Sequence, residues 1–230
     1  MTRIPGKKDD DLLGKYGFRG FPSLAWLDAE GNLVTKQSGR DVEAFQATLT
    51  NLDALDDLRV RIKKGGKGSK GLQADLLVAE LNLGTVSYED AKKRRKGLRR
   101  LKDSVAIEID GLLLNLEIQE ILESTGRDRG AAEKAGAKFY DMAKKGRVPS
   151  GDSGFSFWRL AMDHAKSEGD AKVFEMGYNS LAEELKDEPR AKRFLEGLAE
   201  ELAEMKKVSA AGQVDSLESQ SVVLAVTGMN

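Results

Sequence analysis

The segment covering residues 17–34 constrains the fold of this chain more than any other part of the sequence. It contains, in order, a loop, a proline, a short apolar stretch, a tight turn and a second apolar stretch. Short apolar runs bounded by turn-forming residues predict two β-strands, Ser23–Asp28 and Leu33–Lys36, joined by the turn Asp28–Asn32. We therefore expect a β-hairpin that the chain enters through a proline-containing loop.

Helical periodicity dominates the rest of the sequence. Asp9–Tyr16 predicts a short helix, and apolar residues spaced by three or four from Val42 to Leu55 predict a longer one. Beyond Leu72, breaks at glycine and proline separate seven predicted helices, at about 72–83, 87–101, 104–124, 129–146, 153–168, 170–186 and 189–206. The alternation in Val105–Gly111 is also typical of a strand, but a lone strand among helices would have no partner, so we interpret it as helix. The prediction is an α+β fold that is mostly α.

A basic, glycine-rich stretch marks the predicted division into domains. We expect a small α/β unit at 1–58, a linker at 59–71, an all-α array at 72–207 and a disordered tail at 208–230. Short consecutive helices at this spacing predict an array of α-hairpins that resembles tetratricopeptide-type repeats, although their 34-residue consensus is absent. Arrays of this kind commonly bind peptides.

Charge is balanced overall but not along the chain. The formal net charge of the 230 residues is −1, so the whole molecule has no bias toward nucleic acid. Between Leu58 and Lys102, however, fourteen Lys and Arg face four Asp and Glu, and eight of the eleven residues in Lys92–Lys102 are basic. This run predicts either a solvated helix that meets the acidic helices that follow or a phosphate-binding helix. We disfavour a nucleic-acid partner because no aromatic residue interleaves with the run.

Several classes of site are excluded or disfavoured by residue type. The chain has no cysteine, which removes thiolate nucleophiles, thiolate metal sites and disulfides. Its only histidine, His164, cannot build the usual metal cluster alone, and we interpret it as a surface or packing residue. No apolar run approaches the roughly 20 residues of a membrane span. We therefore expect no catalytic residue, no metal and no cofactor.

An aromatic cluster lies in the predicted helix at 153–168. It consists of Phe155, Phe157, Trp158 and Met162. The two interpretations are a core between helices and a peptide groove, in which Trp158 would be a candidate binding residue.

The segments Tyr16–Leu24, Asp28–Asn32 and Gly39–Arg40 together resemble the C-terminal part of the thioredoxin fold, over about a fifth of the chain. The resemblance implies that Pro22 follows a cis peptide bond, and that backbone groups of Phe21 pair with an extended peptide. Gly20, Phe21 and Pro22 are then candidate peptide-binding residues. The family's Cys-x-x-Cys segment would lie upstream of Met1, and thiol–disulfide exchange needs an attacking thiolate that this sequence lacks.

Three functional hypotheses follow. The first is a non-catalytic module of the thioredoxin-like superfamily that binds a protein or peptide. The second is a fragment of a thiol–disulfide oxidoreductase whose catalytic segment lies upstream, in which case an export signal could lie there too, whereas the chain as written is expected to be cytoplasmic. The third and weakest is nucleic-acid binding through the basic helix.

Overall fold

Helices form most of the described chain, and one short β-hairpin lies near its start. A computed structural model describes residues 11–18, 20, 22–37, 39–65, 69–126, 128–150 and 153–208. The predicted α+β class, mostly α, is confirmed. Most of the disordered tail expected at 208–230 lies outside the described residues, as does the start of the helix expected at Asp9–Tyr16.

The elements follow the predicted order closely. They are α1 (Leu12–Lys15), β1 (Leu24–Leu27), β2 (Leu33–Gln37), α2 (Val42–Lys64), α3 (Ser69–Asn82), α4 (Tyr88–Gly97), α5 (Asp103–Thr125), α6 (Arg129–Lys144), α7 (Gly154–Ser167) and α8 (Ala171–Glu184). A 3₁₀ turn, Pro189–Ala191, leads into a further helix, α9, over 192–208. The ambiguous stretch Val105–Gly111 is helical, as part of α5.

Four helices begin at a polar residue whose side chain caps them. Asp41, Ser87, Asp128 and Asp170 each accept a hydrogen bond from a backbone N–H two or three residues later. These bonds satisfy donors that have no partner inside the helix. Gly84, which follows α3, has a φ of 62°, a left-handed conformation that glycine adopts without steric cost.

The chain divides into two compact units, Met1–Leu116 and Glu117–Asn230, so the boundary falls within α5. The division expected at the linker 59–71 is not where this boundary lies. In the structure α2 continues to Lys64 and α3 begins at Ser69, so much of the expected linker is helical.

The glycine-rich stretch joins two helices that pack on each other. Buried Leu55 of α2 packs with Leu76 of α3 and with Leu83, which directly follows α3. The apolar stripe of α2 continues through Leu58 and Ile62, which pack against this cluster. Because the stripe runs beyond residue 58, the helix extends further than the sequence interpretation placed it.

The first unit has a second core between α3, α4 and α5. Its buried members are Ala74, Leu77, Leu81, Ala91, Ile109 and Leu113. Around them lie partly buried residues that include Leu98 and Leu101 from the α4–α5 connection. The connection is therefore held on the core by apolar side chains.

The second unit is built around consecutive contacts of α6 with α7 and of α7 with α8. Its largest fully buried side chains include Phe139, Phe157 and Phe174, and the Phe139 and Phe157 rings lie 4.9 Å apart. Helices α6 and α7 approach closely, since a Cβ atom at Gly136 would lie 2.8 Å from the carbonyl oxygen of Leu160. The likeness to tetratricopeptide-type repeats stays a prediction.

Candidate binding surfaces

The β-hairpin forms a two-stranded antiparallel sheet in which Trp26 pairs with Thr35. Within the described residues β1 pairs only with β2, so the outer edge of β1 has backbone N–H and C=O groups without a strand partner. Apolar side chains are exposed beside it: Leu24, Leu27 and Leu33 are 37%, 46% and 38% exposed. The combination of an open edge and exposed leucines makes this hairpin a candidate docking surface.

Helix α2 and the end of α3 hold one side of the hairpin. The Trp26 ring lies 6.0 Å from the Phe45 ring, and Trp26 Nε1 donates to Gln37 Oε1 at 2.7 Å. Thr35 is buried and its hydroxyl donates to the carbonyl oxygen of Leu83. These contacts fix the hairpin without covering the outer edge of β1.

The segment after α1 contributes a second set of contacts. The Tyr16 hydroxyl donates to the carbonyl oxygen of Gly31 at 2.8 Å, and Lys36 Nζ donates to that of Gly17 at 3.2 Å. Lys36 Nζ also lies 5.4 Å from the centre of the Phe18 ring. The hairpin is therefore anchored from both its turn and its strands.

The turn between the strands is organised by one carboxylate. Asp28 accepts hydrogen bonds from the backbone N–H groups of Glu30 and Asn32 and from Asn32 Nδ2. The Asn32 side chain and backbone bonds are the main causes that hold the pKa of Asp28 below its usual value. A charged acceptor at this position stabilises the turn at neutral pH.

The candidate residues Gly20 and Pro22 lie in the exposed loop before β1, whereas Phe21 lies outside the described residues. The carbonyl oxygen of Pro22 accepts from Arg40 Nη2 at 3.3 Å, and that of Gly20 accepts from the Ser23 hydroxyl. A Cβ atom at Gly20 would meet nothing within 4 Å, so the loop is open there. The loop therefore leads directly to the open edge of β1.

Trp158 does not belong to a surface of this kind. It lies in the second unit, is only 4% exposed, and its ring contacts that of Phe157 at 5.2 Å. Met162 is also buried, and half-buried Phe155 packs its ring 5.9 Å from that of Phe194 in α9. The assignment of Trp158 to a peptide groove is corrected: these side chains fill the helix core, because the spacing of a core face and of a groove is the same.

The basic run divides into paired and unpaired cations. Arg95 forms a bidentate ion pair with Asp110, in which Nε donates to Oδ1 at 2.7 Å and Nη2 donates to Oδ2 at 2.9 Å. This hydrogen bonding raises the pKa of Arg95. Arg94 is paired with Glu80, and Lys92 lies 4.8 Å from the centre of the Tyr88 ring. Arg94 and Arg95 therefore hold α4 against α3 and α5, whereas the contact of Lys92 with Tyr88 lies within α4.

The remaining cations of the run are exposed, and none of their side chains has a hydrogen-bond or ion-pair partner in the described part of the chain. We call this set the basic surface: Lys93, Lys96, Arg99, Arg100 and Lys102. Periodicity and charge counts located the run in the sequence, but which cations are paired depends on residues up to fifteen positions away.

A small polar network fastens α6 to the start of α8. The Tyr140 hydroxyl donates to Asp170 Oδ2 at 2.9 Å, and Lys144 Nζ donates to the Tyr140 oxygen at 3.3 Å. Burial, together with the bond to Asp170, raises the pKa of Tyr140. Burial would raise the pKa of Asp170 as well, but hydrogen bonds from the backbone of Val173, from Tyr140 and from the backbone of Lys172 outweigh it, and the pKa is lowered.

Other groups that the sequence singled out have ordinary surroundings. The His164 and Tyr140 rings pack in a T-shaped arrangement with 5.1 Å between ring centres, and His164 Nε2 lies 3.9 Å from Glu168. Among the described residues, no three or more His, Asp or Glu side chains are grouped as metal ligands. None of the helices in that part of the chain combines the length and the apolar character that a membrane span requires.

Comparisons with protein families, with curated proteins and with solved structures found no match. The resemblance to thioredoxin-like domains therefore stays a prediction from the sequence.

Proposed function

We propose that this protein is a non-catalytic binding module, resembling the C-terminal half of a thioredoxin-like domain, that takes an extended peptide segment at the outer edge of β1. The observation that carries the proposal is the open edge of β1, which lies beside exposed Leu24 and Leu27. An unpaired edge strand is a ready template for another extended chain, since main-chain hydrogen bonds supply affinity and neighbouring side chains supply selectivity.

The small size of the sheet supports the same proposal. A two-stranded hairpin is marginally stable by itself, and a third strand or a packed helix is what usually stabilises it. Here α2 and α3 support one side of the hairpin through Phe45 and Leu83, and a third strand at the outer edge of β1 would add hydrogen bonds.

The chemistry of the occupant follows from the edge. Side chains of a strand alternate between two faces, so a segment beside β1 presents every second residue toward the same face as Leu24 or Leu27. We therefore expect peptides with β-branched or aromatic residues at alternating positions. The loop at Gly20 and Pro22 lies at the end of β1 where such a peptide would begin or finish.

The proposal can be tested by selecting, from a randomised heptapeptide library, the peptides that bind the full chain. We expect enrichment of alternating apolar sequences, with slower hydrogen exchange at the backbone amides of β1 when a selected peptide is bound. The variant Leu24→Lys/Leu27→Lys should lower the affinity for the selected peptides at least about tenfold, because charged side chains on an edge strand disfavour the addition of another strand.

The matched control is Val60→Lys/Ile107→Lys, which changes two exposed apolar residues of the same unit, 49% and 72% exposed, in α2 and α5. This control should bind the selected peptides like the unmodified chain. Failure to enrich any sequence, or equal loss in both variants, would contradict the proposal.

No observation in the described residues favours the oxidoreductase hypothesis, which stays a prediction from the sequence.

A further inference from the structure

We propose a second binding activity, independent of the β1 edge: the basic surface binds double-stranded nucleic acid through its phosphate groups. Every exposed residue between 92 and 102 is one of the five cations, apart from Gly97. Five cations within ten residues repel one another. Glu80 and Asp110 are paired with Arg94 and Arg95, and the acidic residues of α4 lie at its other end. Asp103, in the first turn of α5, is the one carboxylate adjacent in sequence to the five cations.

The acidic residues near α4 lie in the first turns of α4 and α5. Glu89 and Asp90 occupy the first turn of α4, where a carboxylate is favourable to the helix, and Asp103 occupies the first turn of α5. The cations Lys93 and Lys96 lie three residues apart and share a helix face toward the C-terminal end of α4. The positive field is therefore strongest at the end of α4 and in the connection that follows.

That connection holds two arginines in a defined position. Leu98 and Leu101 pack against the buried core of α3, α4 and α5, and the exposed Arg99 and Arg100 lie between them. Arg100 has a φ of 58°, which places its backbone in the left-handed region, the only described non-glycine residue there. Such a backbone is strained for a residue with a side chain, and strained residues cluster at functional sites.

The character of the surface favours phosphates over a protein partner. Protein interfaces concentrate binding energy in buried aromatic and apolar residues, and the only apolar side chains here, Leu98 and Leu101, are turned to the core. Single strands bind by stacking on aromatic rings, and no exposed aromatic residue lies in this segment. Cations without either feature suit the regular phosphates of a duplex.

The test is binding of the full chain to short duplex DNA and duplex RNA over a range of salt concentrations. Five phosphate contacts predict a slope of about −4.5 for the logarithm of the binding constant against that of the salt concentration. This corresponds to about a 500-fold loss of affinity between about 50 and 200 mM salt. The two duplexes distinguish a DNA from an RNA ligand, and single-stranded DNA and a poly-glutamate peptide serve as competing partners.

Two variants with the same change in net charge separate this surface from general electrostatics. One replaces the basic surface by Gln at all five positions, and binding should be lost at low salt. The control replaces five exposed cations of the second unit, three Lys and two Arg, whose side chains likewise have no partner in the described structure: Lys134, Lys145, Arg159, Lys172 and Arg193. The control should keep both affinity and slope.

Single variants cover the case in which the fivefold variant does not fold. Arg99→Gln and Lys96→Gln should each reduce the salt slope by about 1. Arg100→Gly should raise the melting temperature, because glycine adopts the left-handed backbone freely, while it lowers affinity. No duplex binding at low salt, tighter binding of poly-glutamate or single-stranded DNA, or equal loss in the control would overturn the proposal.

Discussion

The helices of the second unit and the β-hairpin of the first bury their residues to very different extents. In α6–α8, twelve apolar residues are buried: Ala135, Phe139, Met142, Ala143, Phe157, Trp158, Ala161, Met162, Ala165, Val173, Phe174 and Leu181. Between residues 11 and 40, the only buried residue in the described part is Thr35, which is polar. The helices thus supply their own apolar partners, whereas the hairpin relies on other elements and leaves apolar surface open.

This difference indicates where binding and where stability reside. Removing a side chain from a densely packed core lowers the free energy of unfolding, because a cavity remains. A region with exposed apolar residues changes little in stability, so substitutions there can report on binding instead.

The largest effect is expected from Phe157→Ala in α7. Phe157 is fully buried between the rings of Phe139 and Trp158, and its removal should lower the free energy of unfolding by about 3–5 kcal/mol. Urea denaturation followed by circular dichroism measures this loss. Half-buried Phe155→Ala in the same helix is the control and should cost less, and equal losses would mean that the core is not organised around Phe157.

Removal of the cap of α8 should cost about 1–2 kcal/mol in Asp170→Ala. Asp170 accepts from two backbone N–H groups and from Tyr140. Because its pKa is lowered on folding, its contribution is complete above the usual aspartate pKa of about 3.9 and is lost as the pH falls through the lower value.

The control for the charge is Asp170→Asn, which keeps an acceptor for the cap. At neutral pH the free energy of unfolding should be lower for Asp170→Asn than for the unmodified chain. The two values should become equal only at acidic pH. Parallel curves would contradict a role for the ionised carboxylate.

Close packing of α6 on α7 predicts a loss of about 1 kcal/mol or more for Gly136→Ala. The new Cβ atom meets the carbonyl oxygen of Leu160, a backbone atom that cannot rotate away, and this outweighs the gain of about 1 kcal/mol in helix propensity. Gly197→Ala in α9 has open space and should be stabilising by up to about 1 kcal/mol. Thermal unfolding compares the two, and a melting temperature that rises in both would show that the helices separate easily.

The smallest effect is expected in the hairpin. Leu24→Thr/Leu27→Thr should change the free energy of unfolding by less than about 0.5 kcal/mol, because both side chains are exposed and threonine suits a strand. Chemical denaturation measures it. A loss as large as that of a core residue would mean that these leucines are covered in solution, and the contrast between the two regions would disappear.

Local sequence patterns predicted the elements well and the contacts poorly. The helix over Val105–Gly111 was recoverable because an unpaired strand has no place among helices, and the hairpin because Asp28–Asn32 contains strong turn formers. The sequence did not decide whether Trp158 lies in a core or in a groove, because apolar residues at helical spacing look the same in both. The left-handed backbone of Arg100 has no sequence signal, and this residue lies between Leu98 and Leu101, which both pack against the core.

The bond from the Thr35 hydroxyl to the carbonyl oxygen of Leu83 also bears on the order in which the chain folds. It joins residues 48 positions apart, and closing a loop of that length costs roughly 3–4 kcal/mol of chain entropy. The cost is smaller once α2 and α3 have paired, because their packing already shortens the path. We therefore expect the hairpin to mature after the helices that follow it in the sequence, and a nascent chain that ends before Leu83 lacks this bond.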